Sequence, residues 1–245
     1  MTSPVEARFH PLLRNATAVI FDAGGTIVHP DWQRLAQIVR AETGESFAAD
    51  QLDRAFGQII SGIDQKLLSG TQANRLKTAH WVLLDVFCSL GLDEQKCARV
   101  RTQFDLEHQA RHLWCQPYSD ADDVLVGLKS AGLRMAVISN TEDGRLEDSL
   151  SSARLDSHFE FLIDSHLVGC RKPDAEIFRL TLKRLGIEPH EAVYVGDSYG
   201  YDVVGAQQAG LRSVLIDRLD RYGTIDCARI GTLRELIGTH VSGVL

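Results

Sequence analysis

The chain has 245 residues, 44% of them apolar, with 26 lysines and arginines against 33 acids and a net charge of −7 at neutral pH. That length suits one large domain, or a core carrying a smaller insert; the acidic balance lacks the basic field that nucleic acid or an anionic membrane attracts, and no apolar run is long enough to span a bilayer. Five cysteines (Cys88, Cys97, Cys115, Cys170, Cys227), odd in number and without a C-x-x-C pair, read as reduced thiols of a cytoplasmic protein.

The opening stretch MTSPVEARFHPLLRN lacks the apolar centre of a signal peptide and reads as a short, partly ordered arm. TAVIFD (17–22) follows, apolar at consecutive positions and rich in β-branched residues. This suits a parallel strand buried on both faces. It runs straight into DAGGT (22–26). Residues 31–112 then change character. DWQRLAQIVRAETG, ADQLDRAFGQIISGIDQKLLSG, RLKTAHWVLLDVFCSLG and EQKCARVRTQFDLEHQARHLW are amphipathic at helical spacing, with no convincing strand among them. We expect an all-helical insert whose two ends return to one edge of a sheet, over which it sits as a lid.

From residue 120 the strand pattern resumes as RMAVISN (134–140), FEFLID (159–164), AVYVGD (192–197) and RSVLID (212–217). Helical patterns separate these runs. DADDVLVGLKSAGL sets Val124, Leu125, Leu128 and Leu133 on one stripe, with an acidic first turn and Gly132 at its end. PDAEIFRLTLKRLGI has Pro173 near its start and Gly186 just past its end. DVVGAQQAGL closes at Gly210. The alternation predicts an α/β fold: a Rossmann-like, doubly wound parallel sheet built from 1–30 and 113–245, with the all-helical cap at 31–112 inserted after the first strand.

In such a sheet, ligands bind beyond the C-terminal strand ends. Four polar clusters fall there: Asp22 with Gly24, Gly25 and Thr26; Ser139-Asn140-Thr141; Lys172 in CRKPD; and Asp197 with Asp202 in GDSYGYD. Singly, each is as well explained by a turn, a helix cap or a solvated loop. Together, two acids suit Mg²⁺, which takes a few carboxylates and keeps water or phosphate in its other positions. A serine, an asparagine and a lysine supply donors for phosphate oxygens.

The order and spacing of FDAGGT, ISN, GCRKPDAEIF and VGDSYGYDVVGAQQAGL resemble the four motifs of the haloacid dehalogenase superfamily, in the branch with a helical cap after the first strand. The resemblance implies that Asp22 is the nucleophile that forms an aspartyl-phosphate. It implies Mg²⁺ held by Asp22, Asp197 and the backbone carbonyl of Gly24, with Asp202 supporting that site. Ser139 and Lys172 correspond to the groups that bind the transferring phosphoryl oxygens, and Lys172 is expected to keep Asp22 ionised. Gly25, Thr26 and Asn140 are assigned to substrate binding, Gly25 through close approach of backbone and Asn140 chiefly by positioning its loop.

The departure is Gly24. Family phosphatases carry there a second Asp, which protonates the leaving alcohol and later activates water. Losing such a group costs roughly 10²–10⁴-fold in rate. Three functions follow from the pattern: a Mg²⁺-dependent phosphatase acting on a small phosphorylated metabolite, a catalytically weak or inactive binder of a phosphorylated ligand or partner, and a phosphonatase-like C–P hydrolase using a cap lysine such as Lys66. Asp197 and Asp202 speak against dehalogenation, which needs no metal. His29 and Asp31 are candidates to replace the lost acid, with a loop position or helix cap as the plain reading. His108 and His112, at i and i+4, have zinc-ligand spacing, but without further ligands they read as helix surface. IDRLDRYG after the last predicted strand is a candidate entrance segment with no assigned task.

Overall fold

The computed structural model describes residues 9–69 and 79–238. Residues 1–8 of the expected arm and residues 70–78 of the insert lie outside the described residues.

β1 (Ala18–Phe21) leads through the DAGGT turn into a short β2 (Val28–Pro30). Four helices follow: α1 (Trp32–Thr43), α2 (Ala49–Leu68), α3 (Ala79–Ser89) and α4 (Glu94–Ala110). The chain returns on β3 (Trp114–Pro117) and continues as α5 (Ala121–Ser130), β4 (Arg134–Ser139), α6 (Leu146–Ser152), β5 (Phe161–Asp164), α7 (Ser165–Val168) and α8 (Ala175–Leu185). β6 (Ala192–Gly196) is followed by a π-helical turn (Tyr199–Val204) that runs into α9 (Gly205–Gln208), then β7 (Arg212–Ile216) and β8 (Ala228–Ile230).

Six strands form one sheet in the order β5-β4-β1-β6-β7-β8, and every pairing is parallel. β1 lies at its centre, and all four of its residues are fully buried. Val19 and Phe21 pack into a core with Val124, Leu125 and Leu128 of α5. Ala18 and Ile20 face the other way, against Phe178 and Leu182 of α8. Alternate side chains of a strand point to opposite faces, and both faces here are covered by helices. That is why the sequence shows a continuous apolar run instead of an alternating one. Chain order reverses about β1, which has β4 on one side and β6 on the other. The crevice at the C-terminal ends of these three strands is the place where ligands bind in this architecture.

The helices α1–α4 bury a core of their own, including Leu35, Val39, Leu52, Phe56, Leu83, Phe87, Val100 and Phe104. Asp31 caps α1 by accepting from Arg34 N at 3.1 Å. The insert meets the sheet domain through an antiparallel ribbon of β2 and β3, with Val28 opposite Pro117 and Pro30 opposite Trp114. Neither of these strands was anticipated from the sequence, because both are too short to display a period. Two further expectations are corrected. The short turn between α3 and α4 brings Cys88 and Cys97 to a Cα separation of 6.7 Å, and they are joined as a disulfide. Only Cys115, Cys170 and Cys227 are free thiols. The helix expected to begin near Asp202 begins at Tyr199 instead, because Ser198 caps it by accepting from Tyr201 N at 3.1 Å. Among the described residues no helix is long and apolar enough to cross a membrane.

Candidate active site

Asp22 is the first residue beyond β1, and its N–H donates to Val195 O on β6 at 2.8 Å, so its backbone is fixed by the neighbouring strand. Its side chain is buried. Lys172 Nζ donates to Asp22 Oδ1 at 2.5 Å, to Asp202 Oδ1 at 2.7 Å and to Tyr194 OH at 3.0 Å. Tyr194 OH in turn donates to Asp202 Oδ1 at 2.9 Å, and Ser198 N donates to Asp202 Oδ2 at 3.0 Å. Lys172 is thus the single ammonium between two buried carboxylates. Burial works against its charge, but Asp202 and Asp22 outweigh burial and hold its pKa above the ordinary lysine value.

The remaining sequence candidates fall into distinct places. Thr26 is fully buried and donates through Oγ1 to Asp22 Oδ2 at 3.1 Å, so it orients that carboxylate and does not line the cavity. Asn140 clamps the lysine loop: its Nδ2 donates to Lys172 O at 3.0 Å, and its Oδ1 accepts from Lys172 N at 2.9 Å. Ser139, at the end of β4, lines the cavity, and its hydroxyl has no partner among the described residues. Gly25 has φ +88°, and a β-carbon there would run into the Asp197 carboxylate. A side chain is therefore excluded at 25 both by conformation and by space.

Asp22, Asp197 and Asp202 each offer an oxygen, and these oxygens lie within 4.8 Å of one another. Burial raises the Asp22 pKa, Lys172 opposes the rise and Asp202 adds repulsion; the value of about 6 lies below neutral pH, so the ionised form expected beside Lys172 prevails there. Asp197 rises to about 8, again first through burial, with Arg221 opposing and Asp22, Asp202 and Asp64 adding to the rise. The cluster therefore has more negative charge than its own cations neutralise. A small divalent cation among these oxygens would remove that imbalance, so the donor set fits Mg²⁺. Arg221, from the segment left without a task, donates to Asp197 O at 2.8 Å and is anchored by Asp217 at 3.3 Å.

A cavity of about 170 Å³ opens over this cluster, lined on the sheet side by Asp22, Gly24, Ser139, Lys172 and Asp197. The insert contributes Phe56, Ile60, Ile63 and Val82, with Trp114, His108 and His112 at the junction. A β-carbon at Gly24 would lie 3.0 Å from two carbons of the Trp114 indole. The space of the missing side chain is occupied by Trp114, whose Nε1 is buried without a hydrogen-bond partner.

None of the proposed substitutes for the lost acid sits at this place. His29 packs on Tyr118 with ring centres 4.9 Å apart, and Asp31 is taken up by its cap and by Arg111 at 2.7 Å; neither lines the cavity. Lys66 is exposed on α2 and does not line it either. His108 and His112, read as helix surface, are instead buried, because the end of α4 docks on the loop after β4. His108 Nδ1 accepts from Leu113 N at 3.2 Å, so the ring proton is on Nε2, which donates to Asp143 at 2.7 Å. Burial opposes ionisation of Asp143, yet the hydrogen bond from His108 and nearby charge hold its carboxyl below the usual range. His112, buried beside His108 with ring centres 4.3 Å apart, is depressed to about 4, first by burial and then by His108. His108, His112 and Asp143 each offer a ligand atom, and these atoms lie within 4.8 Å of one another, so Asp143 is the further ligand that the histidine spacing alone lacked. Trp114, Asp64, Arg221 and Asp143 were missed because their partners lie far away in sequence.

A family model for haloacid dehalogenase-like hydrolases matches residues 16–210. The mouse haloacid dehalogenase-like hydrolase domain-containing protein 3 is 36% identical over 169 residues, a match spanning 67% of this chain and 66% of the mouse protein. A phosphoserine phosphatase of Thermus thermophilus is 36% identical over 122 residues, 49% of each chain. Among solved structures, a Bacillus subtilis HAD hydrolase bound to magnesium superposes with a TM-score of 0.66 at 18% identity, covering 90% of this chain and 96% of that one. This last likeness concerns the fold.

Proposed function

The chain belongs to the haloacid dehalogenase-like hydrolase family, and from that membership we propose that it hydrolyses a phosphate monoester of a small cytoplasmic metabolite, with Asp22 as nucleophile. The observation that carries this reading is the buried cluster in which Lys172 bridges Asp22 and Asp202 beneath a cavity lined also by Asp197. The phosphoserine phosphatase relative supports the same reaction class.

An Asp22 oxygen attacks phosphorus, the bond from phosphorus to the ester oxygen breaks, and the alcohol leaves. Water then attacks the aspartyl-phosphate, releasing phosphate and restoring Asp22. Lys172 and the unpartnered Ser139 hydroxyl donate to phosphoryl oxygens. Thr26 keeps Asp22 aimed, and Asn140 keeps Lys172 in reach. Asp22, Asp197 and the Gly24 carbonyl are the residues that would hold Mg²⁺, with Asp202 supporting them. When bound, Mg²⁺ supplies positive charge between two anions that must meet. Gly24 has no side chain to protonate the leaving oxygen, so the proton comes from water, and substrates with good leaving groups are favoured. The helical insert acts as the cap, and its apolar side chains with the Trp114 ring face the leaving group.

The test is turnover of a broad phosphate-ester panel with Mg²⁺, by the wild type and by Asp22→Asn. The reading requires turnover that Asp22→Asn abolishes; a wild type inert on the whole panel would sink it. Trp114 filling the Gly24 space favours a second reading, a protein that binds a phosphorylated ligand with little turnover. It predicts thermal stabilisation by phosphometabolites without phosphate release. Among the described residues no lysine of the insert lines the cavity, Lys66 being exposed on α2, so nothing there favours the C–P hydrolase reading.

A further inference from the structure

We propose that Asp64, on helix α2 of the insert, is a positioning residue for the core loop that bears Asp197 and Asp202, so that these two acids are fully fixed only with the insert docked. The inference rests on reading Asp197 as a holder of the cation and Asp202 as its support, but its first readout is independent of that reading.

Asp64 is in the last turns of an amphipathic helix, in SGIDQKLLSG, where an acid is expected to face water. Instead it is 1% exposed. Burying an unpaired carboxylate is strongly unfavourable, so its partners must compensate. Among the described residues no lysine or arginine pairs with it. Its partners are four donors, and all of them belong to the core. Oδ1 accepts from Ser198 Oγ at 2.5 Å and from Gly200 N at 3.1 Å. Oδ2 accepts from Tyr199 N at 2.9 Å and from Tyr222 OH.

Three of these donors, Ser198, Tyr199 and Gly200, are consecutive residues of GDSYGYD, and Ser198 and Tyr222 each have a second link to the acids. Ser198 N donates to Asp202 Oδ2 at 3.0 Å, so residue 198 is held by Asp64 through its side chain and by Asp202 through its backbone. The Ser198 hydroxyl also caps the π-helical turn that carries Asp202. Asp197 immediately precedes Ser198, and Tyr222 OH lies 3.4 Å from the Asp197 carbonyl. A carboxylate accepting several N–H and O–H groups gives charge-assisted bonds, which are the strong ones. Removal of Asp64 strips the loop of three such bonds and Tyr222 of a fourth, while the insert keeps its own core.

The experiment compares wild type, Asp64→Asn, Asp64→Ala and Tyr222→Phe by amide hydrogen exchange of a peptide covering Tyr199 and Gly200, and by calorimetric titration with Mg²⁺. Asn keeps one acceptor oxygen of two, so a graded series is expected. Exchange in Asp64→Ala accelerates by about tenfold or more, with a smaller rise in Asp64→Asn and Tyr222→Phe, and Mg²⁺ binding weakens by about tenfold in the alanine variant. Lys66→Ala, exposed on the same helix, changes neither quantity. Tyr222→Phe tests the contact from the core side should an Asp64 variant not fold. Exchange within twofold of wild type in both Asp64→Ala and Tyr222→Phe overturns the proposal. So does faster exchange with unchanged Mg²⁺ affinity, since the contact then serves only to attach the insert. If the wild type itself takes up no Mg²⁺, the cation reading of the acids fails, while the exchange series still decides whether Asp64 orders the loop.

Discussion

Gly24→Asp restores the side chain that family phosphatases carry, and the structure sets its expected outcome. Its β-carbon would lie 3.0 Å from two indole carbons of Trp114. Carbon atoms rest at about 3.5–4.0 Å, so the ring must retreat by at least roughly half an ångström before the carboxyl is accommodated. Trp114 is not free to retreat, because its ring packs edge-on against Phe56 at 5.4 Å and its carbonyl accepts from Ser149 Oγ at 2.5 Å. Overpacking of this kind costs about 1–3 kcal/mol. For a chain of this size that is a fall in melting temperature of about 2–4 °C per kcal/mol. The activity gain should stay below tenfold, well short of the 10²–10⁴ that a positioned acid supplies. Trp114→Leu makes room, so the double variant should exceed the sum of the single effects, as expected for residues in contact. The assays are thermal unfolding and kcat/KM on one phosphate ester with a poor leaving group. A single Gly24→Asp variant that gains a hundredfold with an unchanged melting temperature would refute this reasoning. It would mean that the site lacks only its acid.

Removing Lys172 as Lys172→Met leaves Asp22 and Asp202 buried without their common cation. Breaking a buried pair costs about 3–5 kcal/mol, roughly 6–20 °C in melting temperature, and activity should vanish with it; an unchanged midpoint in thermal unfolding would contradict the charge accounting. His112 supplies a pH test whose sign is fixed. In the unfolded chain a histidine binds its proton near pH 6.5, whereas His112 in the fold does so only near pH 4. Between these values the unfolded chain holds more protons, so stability falls as pH falls, by up to about 1.4 kcal/mol per pH unit. His112→Gln should flatten that limb in denaturant titrations between pH 6.5 and 4, and identical slopes for both proteins would refute the burial of a neutral imidazole.

The sheet was legible because its strands are buried on both faces, which leaves short continuous apolar runs such as AVIF and AVYVG, each ending in polar residues. The acids at the ends of those runs were legible too, since the sheet topology requires that they converge. What the sequence withheld are contacts across the junction of sheet domain and insert. Gly24 advertises a missing side chain, but nothing near it in sequence says that Trp114, ninety residues away, fills the space. Asp64 looks like one more charge on an amphipathic helix until the core supplies four donors, three from one loop and one from Tyr222. The pair His108 and His112 looked solvated because Asp143, thirty-five residues from His108, is brought to them only by docking of α4 on the loop after β4. At Asp22 the hidden quantity is burial: Lys172 could be read from the sequence, but the extent of burial that outweighs it could not.

The measurement closest to the central claim is a rapid-quench reaction with Mg²⁺ and a phosphate ester, followed by mass spectrometry of the peptide that contains Asp22. The account predicts a transient phosphoryl group on Asp22 that forms and decays at the rate of turnover and is absent from Asp22→Asn. Turnover with no phosphorylated Asp22, or with the phosphoryl group on another residue, would contradict it.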